Sequence, residues 1–225
     1  MPIAEARHDS KTKLLQAAIR VIRIKGYTAT RVEDVCEAAG LTKGSFFHHF
    51  DSKDELALAA ADYWIQGTEA QFESASYHKL ADPLERLLAY VDLRKALLTG
   101  ELRDFTCLAG TMVQEVYDTH PAIREACNRS ISGHAATLVA DIEEAVRQRG
   151  MRPEWTAESL ALYIQATLQG AFILAKARSG AATAAQCIDH LRRYIELLFQ
   201  PALRSAPPRR SGVSARVAKR RRRTK

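Results

Sequence analysis

A short segment of the chain concentrates side chains that suit the binding of phosphate groups. Thr42 offers a hydroxyl and stands where a helix could begin, and both a hydroxyl and free helix-start amides can donate to a phosphate oxygen. Lys43 adds a positive charge, and Ser45 could reach the edge of a base. His48 and His49 follow within the same segment and could contact further phosphates. The segment therefore predicts contact with a nucleic acid.

The other reactive residue types form no pattern typical of an enzyme or a metal site. The seven histidines are scattered, and no nucleotide-binding loop or nucleophile motif is recognisable. Cys36, Cys107, Cys127 and Cys187 do not have the spacing of a zinc or redox motif. We therefore expect no catalytic residue, no metal and no cofactor, with the cysteines free in a reducing cytoplasm. An enzyme built on a helical scaffold is the first alternative class.

The net charge of +7 conceals two regions of opposite sign. Ten of the 33 basic residues and no acidic residue lie between Arg204 and Lys225, so the rest of the chain has 23 basic and 26 acidic residues. Like charges and Pro207-Pro208 predict that residues 201–225 form a disordered basic tail. A non-specific nucleic-acid binder driven by this tail is the second alternative, and its binding would depend steeply on salt.

The composition predicts an all-α protein of about nine helices. Hydrophobic residues make up 47% of the chain, only 11 Gly and 7 Pro interrupt it, and no β-alternation competes. The start of the chain is polar, so we expect no secretory signal, and no apolar run has the length of a membrane span. Asp9 or Ser10 could cap a first helix that ends at Gly26. Later helices are predicted at about 53–77, from 83 onward, and at about 104–119, 121–149, 156–178 and 184–199.

The phosphate-binding segment lies in a predicted helix-turn-helix over residues 31–50. Thr30 and Glu33 fit a capping box that would start the second helix, and Gly40 ends it. Thr42 then caps a third, short helix. Two short helices joined by a tight turn present the second helix as a unit that fits the major groove of DNA.

The stretch from Gly26 to Leu56 resembles the signature of TetR-type regulators. After a Gly-Tyr pair it follows the pattern T-x-V-x-D-V-x-x-A-A-G-L-T-K-G-S-F-x-H-H-F-x-S-K-D-E-L. The resemblance implies a DNA-binding domain over residues 9–69 and a ligand-binding and dimerisation body over residues 70–200. It places these residues at or near DNA: Thr30, Arg31, Thr42, Lys43, Gly44, Ser45, Phe47, His48, His49 and Lys53. The family usually has Tyr at the position of Phe47, which we expect to keep the apolar packing and lose a hydrogen bond to phosphate.

The resemblance also implies a dimer in which the last two helices pair with their copies. Apolar residues recur along both helices, and small residues would allow a close approach. The candidate interface residues are Ala166, Gly170, Leu174, Ile188, Leu191, Ile195 and Leu198. The alternative is that both apolar stripes face the core of the monomer.

An inducer pocket in the body is the third implication. The candidate lining residues are Trp64, Phe105, Cys107, Met112, Tyr117, His134, Gln165, Gln169 and Phe172, each of which could instead be ordinary core. Cys107-Leu108-Ala109-Gly110, with Glu115 and His120-Pro121, is similar to a subgroup in which some members sense electrophiles or oxidants through a cysteine. The alternative for Cys107 is an inert buried thiol.

These observations predict a cytoplasmic homodimer that binds double-stranded DNA at a palindromic operator. It would act as a sequence-specific repressor and leave the operator when a small-molecule or thiol-reactive inducer binds. An activator of the same family is left open, because no residue distinguishes the two.

Overall fold

The computed structural model describes residues 3–200, with side chains described from Asp9 onward. Within this range the chain is helical and contains no β-strand, which confirms the predicted all-α class. The predicted basic tail lies outside the described residues. The elements are α1 (Ile3–Lys25), α2 (Val32–Ala39), α3 (Lys43–Phe47), α4 (Lys53–Glu73), a 3-10 helix (Ser76–Lys79), α5 (Pro83–Ala96), α6 (Leu102–Phe105), α7 (Leu108–Val116), α8 (Pro121–Ala136), α9 (Val139–Gln148), α10 (Ala157–Ala177) and α11 (Ala181–Leu198).

The first helix begins earlier than the sequence predicted. Asp9 lies inside α1 and accepts a hydrogen bond from Lys13, one turn further on, at 2.5 Å. This pairing stabilises the helix around Asp9, so the residue does not act as its cap. The end of α1 is confirmed, because Gly26 follows it with φ at +84°, a conformation that only glycine adopts easily.

The second helix begins one residue later than predicted. Arg31 is its N-cap, and the Asp34 carboxylate accepts a hydrogen bond from the Arg31 amide at 2.9 Å. Thr30 is buried instead, and its hydroxyl donates to the Gly26 carbonyl at 2.6 Å. The predicted Thr30 capping box is therefore wrong, because burial directs the hydroxyl back toward α1.

Two predicted helices are divided where side chains bond to backbone one turn earlier. Between α6 and α7, the Thr106 hydroxyl donates to the Leu102 carbonyl at 2.7 Å. Between α8 and α9, the Thr137 hydroxyl donates to the His134 carbonyl at 2.8 Å. Such bonds compete with the regular helical pattern and favour a change of direction. The predicted fourth helix also ends early, at Glu73, and a 3-10 helix follows it.

A first hydrophobic core joins the N-terminal helices to the body. Leu14 of α1, Val35 of α2 and Phe46 of α3 share this core with Leu108 and Met112 of α7. The cluster also includes residues of α4 and α8. The orientation of α3 is therefore set by packing that continues across the predicted boundary near residue 70.

A second core fills the rest of the body between α5, α8, α9, α10 and α11. Tyr90, Ile142, Ile164 and Ile195 are fully buried there. By length and composition α10 is apolar enough to cross a membrane, with a mean hydropathy of 1.3, and 44% of that stretch is buried inside the molecule. Its buried Gln165 donates to the Tyr90 hydroxyl at 2.9 Å, so α10 serves as a core helix here.

Candidate nucleic-acid interface

One buried aromatic residue anchors α3 to the molecule. Phe46 is 0% exposed, and its ring packs against Phe50 with centroids 5.8 Å apart. Thr42 caps α3, because its hydroxyl accepts a hydrogen bond from the Ser45 amide at 3.2 Å. This arrangement leaves the opposite side of α3 facing solvent.

The exposed side of α3 brings several predicted contact residues onto one surface. Thr42, Lys43, Gly44 and His48 are exposed, and Ser45 is half-buried. Phe47 is 55% exposed and touches the molecule through an edge-on contact with Phe46. The apolar packing expected of Phe47 is limited to this one contact, and the larger buried surface belongs to the neighbouring Phe46.

The charges on this surface are paired with acidic neighbours on α2. Lys43 forms a salt bridge with Glu33, and the hydrogen bond from Lys43 lowers the pKa of the Glu33 carboxyl. Arg31 lies 3.9 Å from Asp34 between charged atoms and is otherwise exposed. Exposed pairs of this kind contribute little to stability, so a phosphate group could replace the carboxylate at small cost.

Three predicted contact residues turn away from the surface. Thr30 is buried, which corrects the expectation that its side chain reaches DNA. The His49 ring is hydrogen-bonded to the Ser10 hydroxyl at 2.7 Å. Lys53 donates to the Tyr27 carbonyl at 3.1 Å, and its ammonium lies 4.3 Å from the centre of the Tyr27 ring. In this conformation His49 joins the segment after α3 to α1, and Lys53 joins the start of α4 to the loop after α1.

The body contains a small, partly open cavity of about 50 Å³. Seven of the nine predicted pocket residues line it, together with four that the sequence did not single out: Trp64, Thr68, Arg94, Phe105, Cys107, Ser130, Ile131, His134, Gln165, Gln169 and Phe172. Two predicted residues lie elsewhere. Met112 is buried in the first core, and Tyr117 is 61% exposed at the end of α7, so both expectations are corrected.

Hydrogen bonds join the polar side chains of Tyr90, His134 and Gln165 beside this cavity. The Tyr90 hydroxyl accepts from Gln165 and is hydrogen-bonded to the His134 ring at 3.0 Å. Burial and, to a lesser extent, the charge of Arg94 together lower the pKa of His134 to about 4. The Arg94 guanidinium lies 5.3 Å from the Phe72 ring centre and 5.7 Å from that of Phe172. His134 is therefore neutral at pH 7, and its ring can accept a hydrogen bond from the Tyr90 hydroxyl.

The last two helices present an exposed apolar face that matches the predicted one only in part, since of the large predicted residues Leu174 alone belongs to it. Ile188, Leu191 and Ile195 are buried in the second core and cannot form an interface, because they pack inside the monomer. Leu198 is half-buried against the same core. Ala166 is exposed and Gly170 half-buried. The exposed apolar face consists of Leu162, Tyr163, Ile173, Leu174, Tyr194 and Leu197.

The body touches the N-terminal helices through the carboxylate of Glu115 on α7. This carboxylate accepts hydrogen bonds from the Tyr27 amide at 3.2 Å and the Thr28 amide at 2.8 Å. Gly26 lies against the same carboxylate, and any side chain there would collide with it. α7 carries Cys107 at its N-cap, where the thiol accepts from the Gly110 amide at 3.3 Å. The helix therefore runs from the cavity to the loop that precedes α2.

The residues that the sequence did not reveal are mainly basic, and they lie inside the body or where α1 meets it. Arg94 borders the small cavity, and Arg23 and Lys176 border larger ones nearby. Each lies on a helix that also carries exposed charged residues, so the sequence offered no signal that separates them. Within the described residues, no group of three or more His, Cys, Asp or Glu side chains could hold a metal ion.

An exposed α3, placed by α2 and a tight turn on a helical body, defines a helix-turn-helix DNA-binding transcriptional regulator. Residues 14–60 match the family model of bacterial regulatory proteins of the tetR family, and residues 83–191 match a tetracyclin repressor-like C-terminal domain. The chain therefore belongs to the TetR family, whose members are transcriptional regulators and not enzymes.

Individual relatives agree with this assignment. The chain is 26% identical to the HTH-type transcriptional regulator LmrA of Bacillus subtilis over 174 residues, which cover 74% of this chain and 86% of LmrA. It is 24% identical to the transcriptional repressor DhaR of a Mycobacterium species over 171 residues, covering 76% and 84%. A TetR regulator from Chloroflexus aurantiacus has a similar crystal structure, with a TM-score of 0.74, 27% identity and coverage of 85% and 96%.

Proposed function

We propose that this chain is a homodimeric repressor that occupies a two-fold symmetric operator and is released when an inducer acts on its body. The observation that carries the proposal is the exposed side of α3, held in place by the buried Phe46. Repression is supported by the similarity to DhaR, which is itself a transcriptional repressor. A protein that binds chromosomal DNA works in the bacterial cytoplasm, where we expect this one.

The exposed side of α3, formed by Thr42, Lys43, Gly44, Ser45, Phe47 and His48 and called the reading surface below, offers contacts to phosphate groups. The Thr42 hydroxyl and the adjacent backbone amides can donate to one phosphate, and Lys43 can exchange Glu33 for another. Ser45 and Phe47 lie one turn further along and face the bases when α3 enters the major groove. Phe47 then offers an apolar surface, for example to a thymine methyl group, in place of a hydrogen bond to phosphate.

A dimer would bring two such surfaces to the same face of the duplex. The exposed apolar face of α10 and α11 supports this part of the proposal, because monomers rarely leave large apolar side chains grouped in contact with water. Leu197 is 64% exposed and Tyr163 packs against Tyr194 with ring centroids 4.9 Å apart. We expect these side chains to lie against their copies in a four-helix bundle.

Sedimentation of a charged variant tests the dimer. Leu197→Arg places a charge in the proposed interface, so we expect monomers at micromolar concentration and weak operator binding. Leu80→Arg is the matched control, since Leu80 is 38% exposed and lies outside this face. Dimers of unchanged stability in the Leu197 variant would contradict the proposed interface.

Release would begin at the internal cavity. A space of about 50 Å³ holds little more than one or two water molecules, so an inducer has to enlarge it by moving the helices around it. α7 borders the cavity and holds the Tyr27–Thr28 loop through Glu115. Movement of α7 would therefore be transmitted to α2 and α3. An inducer shifts the protein toward release only by its preference for the enlarged state.

Cys107 is the proposed target of thiol-reactive inducers. It is half-buried beside the cavity, whereas Cys36 and Cys127 are buried. Addition of an electrophile to the Cys107 sulfur would enlarge the side chain at the start of α7. We expect Cys107→Ser to abolish electrophile-dependent release while DNA binding persists. Cys187→Ser, at another half-buried cysteine, is the control. Unchanged release in the Cys107 variant would leave this part of the proposal without support.

The central experiment is a binding selection on random duplex DNA with the full chain. A repressor dimer should enrich a two-fold symmetric motif whose half-sites are about one helical turn apart, ~34–36 Å. Deletion of residues 204–225 should lower the affinity for all DNA while the motif persists. Loss of nearly all binding in the deletion variant would instead identify a tail-driven, non-specific binder.

A further inference from the structure

Arg23 on α1 is a buried cation without a hydrogen-bond partner for part of its head group. The residue is only 9% exposed. Among the buried side-chain nitrogen and oxygen atoms of the described residues, only Nε and Nη2 of Arg23 lack a partner. Buried donors are nearly always satisfied, because they lose water without compensation otherwise. The exception indicates a group that is completed by something absent from the chain itself.

The two unpartnered atoms lie on one edge of the guanidinium group. Its flat face is already used, since the Arg23 Cζ atom lies 4.8 Å from the centre of the Trp64 ring. Stacking occupies the face and leaves the in-plane N–H groups available. The Nε–H and one Nη2–H point in parallel, and this pair matches the two oxygens of a carboxylate. This edge therefore has the geometry that a bidentate carboxylate requires, and in this structure neighbouring protein atoms cover it.

The surrounding charges favour an anion at the same place. Arg23 and Lys176 of α10 line one cavity of about 580 Å³. Burial lowers the pKa of Lys176, and the charge of Arg23 lowers it further. Burial lowers the pKa of Arg23 to about 10, while Cys107 and Asp104 raise it, but neither of them accepts a hydrogen bond from Nε or Nη2. Arg103 lines the cavity as well and forms a salt bridge with Glu101 at 2.7 Å. Glu101 lines the cavity too, but neither Arg23 nor Lys176 forms a salt bridge with it, and the Lys176 ammonium donates to the neutral Thr111 hydroxyl at 2.7 Å. A bound anion would therefore stabilise both cations.

Apolar groups complete the walls of this cavity. Leu102 and Phe105 of α6 line it, together with Ile24 of α1 and Ala181 at the start of α11. A ligand with an apolar part beside its charged group would bury that part against these side chains. The lining therefore favours an organic anion over a small inorganic one.

We propose that Arg23 and Lys176 form a binding site for a small organic carboxylate at the junction between the DNA-reading helices and the body. The carboxylate would accept hydrogen bonds from Nε and Nη2 of Arg23 and pair with the Lys176 ammonium. The site differs from the small internal cavity, which Arg23 does not line.

The position of the site links it to regulation, a consequence that rests on the proposed function. Arg23 belongs to α1, which packs with α2 and α3, whereas Lys176 belongs to α10 of the body. The unpartnered edge is closed to solvent, so a ligand reaches it only when α1 and the body separate slightly. A bound carboxylate would hold the junction in that state and change the angle at which α3 is presented.

Calorimetric titration of the full-length protein with benzoate tests the site directly. We expect saturable binding of one benzoate per chain and at least about tenfold weaker binding in Arg23→Met, because a bidentate charge-assisted contact is lost. Lys79→Met, at an exposed lysine outside the cavity, should bind like the unmodified protein. Benzamide, which has the same ring without the charge, should bind at least about tenfold more weakly than benzoate.

Further measurements separate the site from a purely structural role. Without ligand, Arg23→Met should melt at the same or a higher temperature, because it removes an unpartnered buried charge and keeps the apolar stem. The proposal would be overturned if benzoate showed no saturable binding, or if benzamide bound as tightly as benzoate. It would also be overturned if inorganic phosphate competed with benzoate as well as unlabelled benzoate does, or if Arg23→Met were clearly less stable than the unmodified protein. Benzoate binding without any change in DNA affinity would uphold the site and overturn its regulatory consequence.

Discussion

The reading surface and the interior of the body hold their ionisable side chains in opposite ways. Lys43 and Glu33 form their salt bridge at the surface with more than half of each side chain exposed, so the pair is screened and easily exchanged for a phosphate. Arg94 and His134 are held inside the body by aromatic rings and by the Tyr90 hydroxyl. The surface can therefore change partners at little cost in stability. The interior groups cannot change partners in this way, because any change there alters the packing of the helices that position α3.

The largest expected effect comes from the one residue of α3 that belongs to the interior. Phe46→Ala should lower the free energy of unfolding by about 3–5 kcal/mol, because it leaves a cavity in the first core. Chemical denaturation measures this value. The adjacent Phe47→Ala is the matched control, and it should change stability by less than about 1 kcal/mol since Phe47 is mostly exposed. Similar losses of stability in both variants would contradict the assignment of Phe46 to the core and Phe47 to the surface.

The buried histidine should make the interior sensitive to acid. The pKa of His134 is about 4 in the folded chain, below its ordinary value of 6.5, so the unfolded chain takes up the proton first as pH falls. Stability is therefore fully present above pH 6.5 and is lost between pH 6.5 and 4, by about 3 kcal/mol. The measurement is urea unfolding over this range.

A variant isolates the histidine from the carboxyl groups that titrate at the lower end of the same range. His134→Gln has no group that titrates at this position, and its amide oxygen can still accept from the Tyr90 hydroxyl. Its stability should fall less steeply than that of the unmodified protein over the same pH range. Parallel curves for the two proteins would contradict the assignment of the acid sensitivity to His134.

A smaller effect is expected where the body meets the reading helices. Glu115→Gln keeps one acceptor for the Tyr27 and Thr28 amides and loses the negative charge, which should cost about 1 kcal/mol of stability. Amide hydrogen exchange of Tyr27 and Thr28 should become faster in this variant. Glu154→Gln, at an exposed residue before α10, should leave both amides unchanged. Unaltered exchange in the Glu115 variant would show that Glu115 does not couple α7 to the loop that precedes α2.

The sequence was sufficient to predict those features of the fold that depend on residues close together in the chain. Gly26 and Gly40 end helices because their backbone is left-handed, and Thr42 caps α3 through a bond to an amide three residues away. These features depend on neighbours in the chain, so a sequence pattern is sufficient to find them. The all-α class follows for the same reason.

The sequence could not show which of two similar neighbours is buried. Phe46 and Phe47 are the same residue type, and only the docking of α3 onto α1 decides between them. Thr30 and Arg31 compete for the cap of α2, and burial of Thr30 decides that case.

A similar ambiguity affects the residues of the body. Helical periodicity identifies the apolar stripe of Ile188, Leu191 and Ile195, but it does not show whether the stripe meets its own core or a second chain. Arg23 and Lys176 were missed because basic residues on amphipathic helices are usually solvated.

The account depends on insertion of α3 into duplex DNA, and the binding of Lys43→Glu to the selected operator tests this most directly. Fluorescence anisotropy at about 0.15 M salt should show an affinity reduced by on the order of 100-fold and a smaller dependence on salt, because phosphate contacts are lost in both protomers. The melting temperature should stay the same, since the residue is exposed. Lys79→Glu is the control of equal charge. Operator binding by a folded Lys43→Glu protein at the affinity of the unmodified chain would contradict the account.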